Sequence, residues 1–87
     1  MAQDEFPDPE SVASRLALAQ FVDRLHANLQ AAPSDWENPT LEQFLEALAA
    51  YLRDVPGYLK NARSPLDPER PSWELFALVL AGARVYE

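Results

Sequence analysis

The chain has 87 residues, of which 48% are hydrophobic, so it allows one small domain and is not a disordered polymer. It contains no cysteine, which excludes disulfides, thiolate catalysis and cysteine-ligated zinc. Fourteen acidic residues against seven basic ones give a net charge of −7, which disfavours nucleic-acid and anionic-membrane partners.

Residue types and proline positions predict an all-α fold. The chain has 14 Ala and 13 Leu, no Ile and one Thr, which favours helices over strands. The longest stretches without any of the eight prolines are residues 10–32, 40–55 and 72–87. We therefore expect a single domain over residues 1–87, a small bundle of three helices, with residues 1–8 as a flexible N-terminal tail.

The first helix has apolar residues at the spacing of one helical face. They are Leu18, Phe21, Val22, Leu25 and Leu29. Two starting points are open, because Asp8 and Ser14 are both good N-caps. Val12 and Leu16 fall off the apolar face, which favours the start at Ser14.

The second helix carries the clearest local signal. Thr40 followed by Gln43 matches a capping box, in which each residue bonds to the other's backbone N–H. An apolar stripe then predicts its buried face. The stripe consists of Leu41, Phe44, Leu45, Leu48 and Leu52. We expect Pro56 and Gly57 to end this helix.

Residues 56–71 hold four prolines and are predicted to be a Pro-rich connector. One short extra helix is compatible with this segment, at residues 55–62 or 67–70. The third helix then begins after Ser72, which is the expected N-cap.

The third helix is apolar almost all round. One face consists of Trp73, Phe76, Ala77, Leu80 and Ala83. The opposite side consists of Leu75, Leu78, Val79, Val85 and Tyr86. A helix of this kind is buried on more than one side. It is therefore either the central helix or half of an oligomer interface, and we expect the second set to mediate homodimer formation unless residues 56–71 cover it.

An acidic patch precedes and enters the second helix. It consists of Asp35, Glu37, Glu42 and Glu46, and no basic residue lies among them. Residues 1–50 carry the whole net charge of −7, whereas residues 51–87 are neutral. Acids at a helix start stabilise the helix dipole and improve solubility. The same patch is also our candidate for binding a basic partner.

Trp36 lies in the connector between the first two helices. Such a tryptophan packs back on the bundle as a lid, with its N–H bonded to a carbonyl, or it is an exposed binding anchor. Both readings remain open, so we include Trp36 with the acidic patch as a partner-binding candidate. Asn38 is expected to form an Asx turn before the helix cap.

No pattern in the chain predicts a catalytic, cofactor-binding or metal-binding residue. His26 is the only histidine, and Gly57 and Gly82 do not form a phosphate loop. The first ten residues are acidic and contain proline, unlike a secretory signal, and no apolar run reaches the ~20 residues of a membrane span. We expect a cytoplasmic protein that is not an enzyme and needs no cofactor.

Three strings of residues together resemble a family of small uncharacterised bacterial proteins. The strings are Trp-Glu-Asn from 36, Thr-Leu-x-x-Phe-Leu-Glu-Ala-Leu from 40, and Trp-x-x-Phe-Ala-x-x-Leu-x-x-Ala-x-x-Tyr-Glu from 73. The resemblance spans residues 14–87. Because that family has no assigned activity, the resemblance implies a bacterial helical domain and transfers no catalytic residue.

These observations favour a non-catalytic protein-interaction module that binds a basic partner. Small acidic immunity proteins that neutralise nucleases offer an analogy at the level of the fold only. One alternative is a small enzyme or metal-dependent accessory subunit that uses Glu37, Glu42 and Glu46. Another is a purely structural homodimer unit.

Overall fold

The computed structural model of the chain describes residues 8–86, in which three α-helices and two short 3₁₀ turns follow one another. They are the turn Pro9–Ser11, α1 (Arg15–Ala31), the turn Pro33–Asp35, α2 (Leu41–Asn61) and α3 (Trp73–Ala83). No strand occurs within this part of the chain, and the predicted all-α, three-helix fold is confirmed. Except for Asp8, the expected flexible tail lies outside the described residues.

All three helices begin at the predicted N-caps. The side chains of Ser14, Thr40 and Ser72 each accept a hydrogen bond from a backbone N–H three residues later. The capping box is complete, because Gln43 Oε1 accepts from the Thr40 backbone N–H at 3.3 Å. Asp8 also acts as a cap, but for the 3₁₀ turn that precedes α1. The two candidate starts of the first helix therefore cap two successive elements.

The prediction that Pro56 and Gly57 end the second helix is wrong, because α2 continues to Asn61. Pro56 has no backbone N–H to donate, and a proline inside a helix costs ~3 kcal/mol. Val55 and Leu59 on either side of it are 2% and 3% exposed. Since burying one such side chain contributes ~1.5–3 kcal/mol, these two together offset the proline.

A Schellman motif ends α2. The backbone N–H of Ser64 donates to Leu59 O at 3.0 Å, and that of Arg63 donates to Lys60 O at 3.1 Å. Arg63 has φ 55°, the left-handed conformation that this motif needs and that glycine usually supplies. An arginine at this position stores backbone strain of ~1–2 kcal/mol.

The connector to α3 is shorter than predicted, because residues 56–61 belong to α2. The extra helix considered at 55–62 is the last part of α2. At residues 67–70 there is a single turn, closed by the Arg70 N–H and Asp67 O at 3.0 Å. Leu66 is half-buried against α2 and α3, which anchors the connector to the core.

α3 is the central helix, as one of the two sequence interpretations required. It packs against α1, α2 and the first 3₁₀ turn. On one side of it lies a cluster of buried residues that includes Val12, Leu18, Phe21, Leu25, Trp36 and Ala77. The second cluster consists of Tyr51, Val55, Leu59, Leu75 and Val79. Burial on two sides explains why α3 is apolar almost all round.

The predicted buried stripe of α2 is largely wrong. Phe44 and Leu48 are half-buried, but Leu41, Leu45 and Leu52 are exposed, Leu41 by 72%. The buried face of α2 consists instead of Ala47, Tyr51, Val55 and Leu59. This face runs past Pro56 to the end of the helix, and the exposed leucines lie on an adjacent face of α2.

Trp36 is the predicted structural lid, with 9% of its surface exposed. Its indole N–H donates to Asn28 Oδ1 near the end of α1 at 2.7 Å. Its ring packs against Phe44 of α2, with the ring centroids 6.1 Å apart. Trp36 therefore joins the end of α1 to the start of α2.

Asn38 fastens the same connector to the C-terminal end of α3. Its Nδ2 donates to Ala83 O at 3.0 Å and to Tyr86 O at 2.8 Å. Its backbone N–H donates to Arg84 O at 3.0 Å. The expected Asx turn is replaced by these long-range bonds, which satisfy carbonyls that a helix end leaves without partners.

Gly82 lets the ring of Tyr51 approach the backbone of α3. A Cβ atom at this position would lie 2.3 Å from Tyr51 Cε2 and 2.8 Å from its Cζ. At Gly57, in contrast, a Cβ atom would meet nothing within 4 Å. Gly82 is therefore needed for close packing, whereas the space at Gly57 would accept a side chain.

Replacing Trp36 by alanine should lower the free energy of unfolding by ~3–5 kcal/mol, because it removes a large buried aromatic side chain and leaves a cavity. The matched control is Trp73→Ala, since Trp73 is 43% exposed. Chemical denaturation should show a much smaller change for this control. Equal losses for the two variants would contradict the lid.

The two glycines provide a second matched pair. Gly82→Ala should destabilise the fold by ~1–3 kcal/mol, because the added methyl group collides with the buried ring of Tyr51. Gly57→Ala should stabilise it by ~0.5–1 kcal/mol, because alanine is the better helix former and the space is open. Thermal denaturation measures both. A Gly82→Ala variant as stable as the native chain would disprove the close approach.

Candidate functional site

The four side chains of the acidic patch are all exposed. Asp35 ends the second 3₁₀ turn, and Glu42 lies in the first turn of α2. Glu46 follows one turn later on the same helix, and Glu37 precedes the helix cap. α2 therefore holds two of the four carboxylates on a rigid element.

Trp36, predicted together with this patch as a partner-binding residue, is not available for that role. It is buried between α1 and α2, and its polar N–H is already bonded to Asn28. An exposed anchor would need its ring free for a partner. The binding-anchor interpretation of Trp36 is therefore wrong.

The residues expected to mediate self-association fall into two groups. Leu75 and Val79 are buried against α2 within the same chain, so the expectation that they form an exposed face is wrong. Leu78 and Tyr86 are half-buried in the same cluster, and Val85 is exposed. Homodimer formation through the remaining surface stays a prediction.

A groove of about 670 Å³ opens between α2, α3 and the connector. We call it the apolar groove. Leu48 and Leu52 of α2 line it together with Trp73 and Phe76 of α3. Among the lining residues that the structure describes, Glu69 is the only charged one. Trp73 and Phe76 are exposed, although the sequence predicted both on a buried face.

An apolar face of α2 leads from the groove toward the start of the helix. Leu41 and Leu45 precede Leu48 and Leu52 at a spacing that keeps all four on one helical face. Glu42 lies three residues before Leu45, so the two side chains are neighbours on the helix surface. The exposed leucines and the acidic patch therefore share the first turns of α2.

A second depression, of about 590 Å³, lies on α2 and at the end of α3. We call it the tyrosine depression. Its lining consists of Tyr51, Asp54, Gly57, Tyr58, Gly82, Val85 and Tyr86. The ring centroids of Tyr51 and Tyr86 are 4.9 Å apart, and those of Tyr51 and Tyr58 are 6.1 Å apart. The Tyr86 hydroxyl donates a hydrogen bond to the Asp54 carboxylate.

Two of the phenols in this depression, those of Tyr51 and Tyr86, have raised pKa values. Burial raises the pKa of Tyr51 above its ordinary value of 10.0, and the nearby phenols of Tyr58 and Tyr86 raise it further. The hydrogen bond to Asp54 raises the pKa of Tyr86, because it stabilises the protonated phenol. Among the described residues that line the depression, Asp54 is the only acidic one.

Within residues 8–86 no three carboxylate or imidazole side chains come together where a metal ion could bind. Glu37, Glu42 and Glu46 thus do not form such a cluster. None of the helices described there combines the length and apolar character needed to cross a membrane.

Sequence reasoning missed both concave surfaces, but each had a signal. Leu41, Leu45 and Leu52 are apolar and have the spacing of a buried helical face. Only the position of Tyr51, on the face of α2 that is buried instead, shows that these leucines are exposed. Tyr51 and Tyr58 are seven residues apart, which places them on one helical face. Nothing local brings Tyr86 to them, because that contact depends on the packing of α3.

Comparison with known proteins identifies a family but no individual relative. No curated protein and no solved structure matches the chain. One family model, described as a family of unknown function, matches residues 14–87, the same span as the resemblance found in the sequence. That span includes α1, α2 and α3 and most of the chain. The chain therefore belongs to the family of unknown function DUF7660.

Proposed function

We propose that the chain is a non-catalytic protein-interaction module that binds a basic partner protein through the apolar groove. The observation that carries this proposal is the exposure of Leu52, Trp73 and Phe76 around one groove. Contiguous exposed apolar surface is typical of interaction sites, and aromatic side chains are common among the residues that dominate binding energy.

Electrostatics support a basic partner. The net charge is −7, and the acidic patch lies beside the leucines that lead into the groove. Exposed charges of one sign accelerate association with an oppositely charged protein, whereas buried apolar contacts determine how slowly the complex dissociates. In this division of roles, the patch steers the partner and the groove holds it.

A second copy of the chain is the competing occupant, because an apolar groove can also pair with itself around a two-fold axis. The like charges of two acidic patches oppose that arrangement, especially at low salt. We therefore favour a different, basic protein. The enzyme or metal-dependent alternative gains no support from the described carboxylates, which form no metal cluster.

The test is affinity purification from the native host with quantitative mass spectrometry, using the native chain and two matched variants. Leu52→Asp places a charge in the groove, and Leu16→Asp makes the same change on α1 at a leucine that is 61% exposed. Both surface changes should leave the fold intact. We expect a basic protein to be lost with Leu52→Asp and retained with Leu16→Asp.

The same partner then tests the steering role of the patch. Glu42→Lys combined with Glu46→Lys should slow association several-fold at low salt and leave dissociation nearly unchanged, as measured by stopped-flow mixing or surface plasmon resonance. Retention of the partner by Leu52→Asp at native strength would contradict the groove. An unchanged association rate for the double variant would remove the patch from the mechanism.

A further inference from the structure

We infer that the tyrosine depression is a binding site for an organic ammonium group, such as a quaternary amine or a methylated lysine side chain. This site is separate from the apolar groove, since the two share no lining residue. The inference therefore goes beyond the proposed function and does not depend on it.

The aromatic surface of the depression suits a cation. The rings of Tyr51 and Tyr58 make an angle of 63°, and those of Tyr51 and Tyr86 an angle of 42°. Ring faces are therefore presented in different directions rather than in one parallel stack. The face of an aromatic ring is electron-rich and attracts ammonium groups within ~6 Å of its centroid.

The acidic residue in the lining of the depression favours a positively charged ligand. The pKa values of Tyr51 and Tyr86 are raised, and Asp54 is the only acidic residue among the described ones that line the depression. A carboxylate has about four lone-pair sites, so the hydrogen bond from Tyr86 leaves room for a further interaction. None of the described lining residues is a lysine or an arginine, so an incoming cation meets no like charge from them.

The space available also fits a small group. The volume of about 590 Å³ lies in the usual ~300–1,000 Å³ range of ligand sites. Tyr58 is exposed, so one of its surfaces is open to solvent. Gly57 contributes no side chain to the lining, and a Cβ atom there would meet nothing within 4 Å. An alkylated ammonium group can therefore reach the exposed ring of Tyr58 and the half-buried ring of Tyr86 without displacing the core.

The decisive comparison is between choline and 3,3-dimethyl-1-butanol, its uncharged isostere. Both are titrated into the full-length chain, and chemical shifts of the tyrosine rings and of the Gly57 and Gly82 amides are followed by NMR. We expect choline to bind about 3- to 30-fold more tightly than the neutral alcohol, which is the range of a cation–π contribution. Equal binding of the two, or binding of neither, would overturn the inference.

Substitutions of Tyr58 and Asp54 test whether choline binds in the tyrosine depression. Tyr58→Leu removes an exposed ring, and Tyr58→Phe keeps the ring and removes only the hydroxyl. Asp54→Asn keeps the shape and removes the charge. Choline binding should weaken several-fold in Tyr58→Leu and Asp54→Asn and change less than about two-fold in Tyr58→Phe. If Tyr58→Leu binds choline as the native chain does, the cation is not held by this depression.

A third ligand distinguishes the sources of the ammonium group. N-acetyl-trimethyllysine amide, with unmodified N-acetyl-lysine amide as its control, represents a protein side chain, whereas choline represents a free small molecule. Tighter binding of the trimethyllysine compound would assign the site to a methylated protein. Tighter binding of choline would assign it to a small-molecule amine. Both results support an ammonium site and leave the groove proposal untouched.

Discussion

The burial of α3 on two sides is the constraint on which the rest of this fold depends. Its 11 residues include a single charged side chain, Glu74, so the helix has too little polar surface to lie on the outside of a small domain. α1 covers one side of α3, and α2 covers the other. Ala77 and Ala83, which are fully buried, allow the close helix approach that larger side chains would prevent.

This arrangement also explains why apolar surface remains exposed. α2 turns Tyr51, Val55 and Leu59 toward α3, so three leucines on its adjacent face, Leu41, Leu45 and Leu52, stay exposed. At the start of α3, Trp73 and Phe76 lie beside those leucines and complete the groove. The exposed residues are therefore a consequence of how α3 is buried.

The connectors stabilise the two-sided packing through specific bonds. Trp36 joins α1 to α2, and Asn38 joins the same connector to the end of α3. The bond between Tyr86 and Asp54 joins the residues after α3 to α2. These contacts place the tyrosine depression where α2 meets the end of the central helix.

Local features of the fold could be read from the sequence, and features decided by packing could not. The caps at Ser14, Thr40 and Ser72 depend on residues three positions apart, so each was predictable. The end of α2 was not, because burial of Val55 and Leu59 outweighs a local signal at Pro56. The buried face of α2 was not predictable for the same reason, because hydrophobic periodicity does not show which of two apolar faces meets the core.

The candidate sites depend even more on packing than the helices do. The acidic patch was visible because it is a run of charges along the chain. The tyrosine depression forms only when packing brings Tyr86 to Tyr51, which lies 35 positions earlier in the chain. The role of Gly82 likewise becomes clear only from its close contact with the Tyr51 ring. The sequence predicted that Asn38 forms a local turn, whereas its side chain bonds to the carbonyls of Ala83 and Tyr86 near the C-terminal end of α3.

Native-state hydrogen exchange of the full chain tests the central role of α3 most directly. Backbone amides from Ala77 to Ala83 should exchange only through global unfolding, with opening free energies that equal the stability measured by denaturation. Amides near the end of α2, beyond Pro56, should open locally at lower free energy. If the amides of α3 exchange more easily than those of α1 and α2, the helix is not the one around which this fold is built.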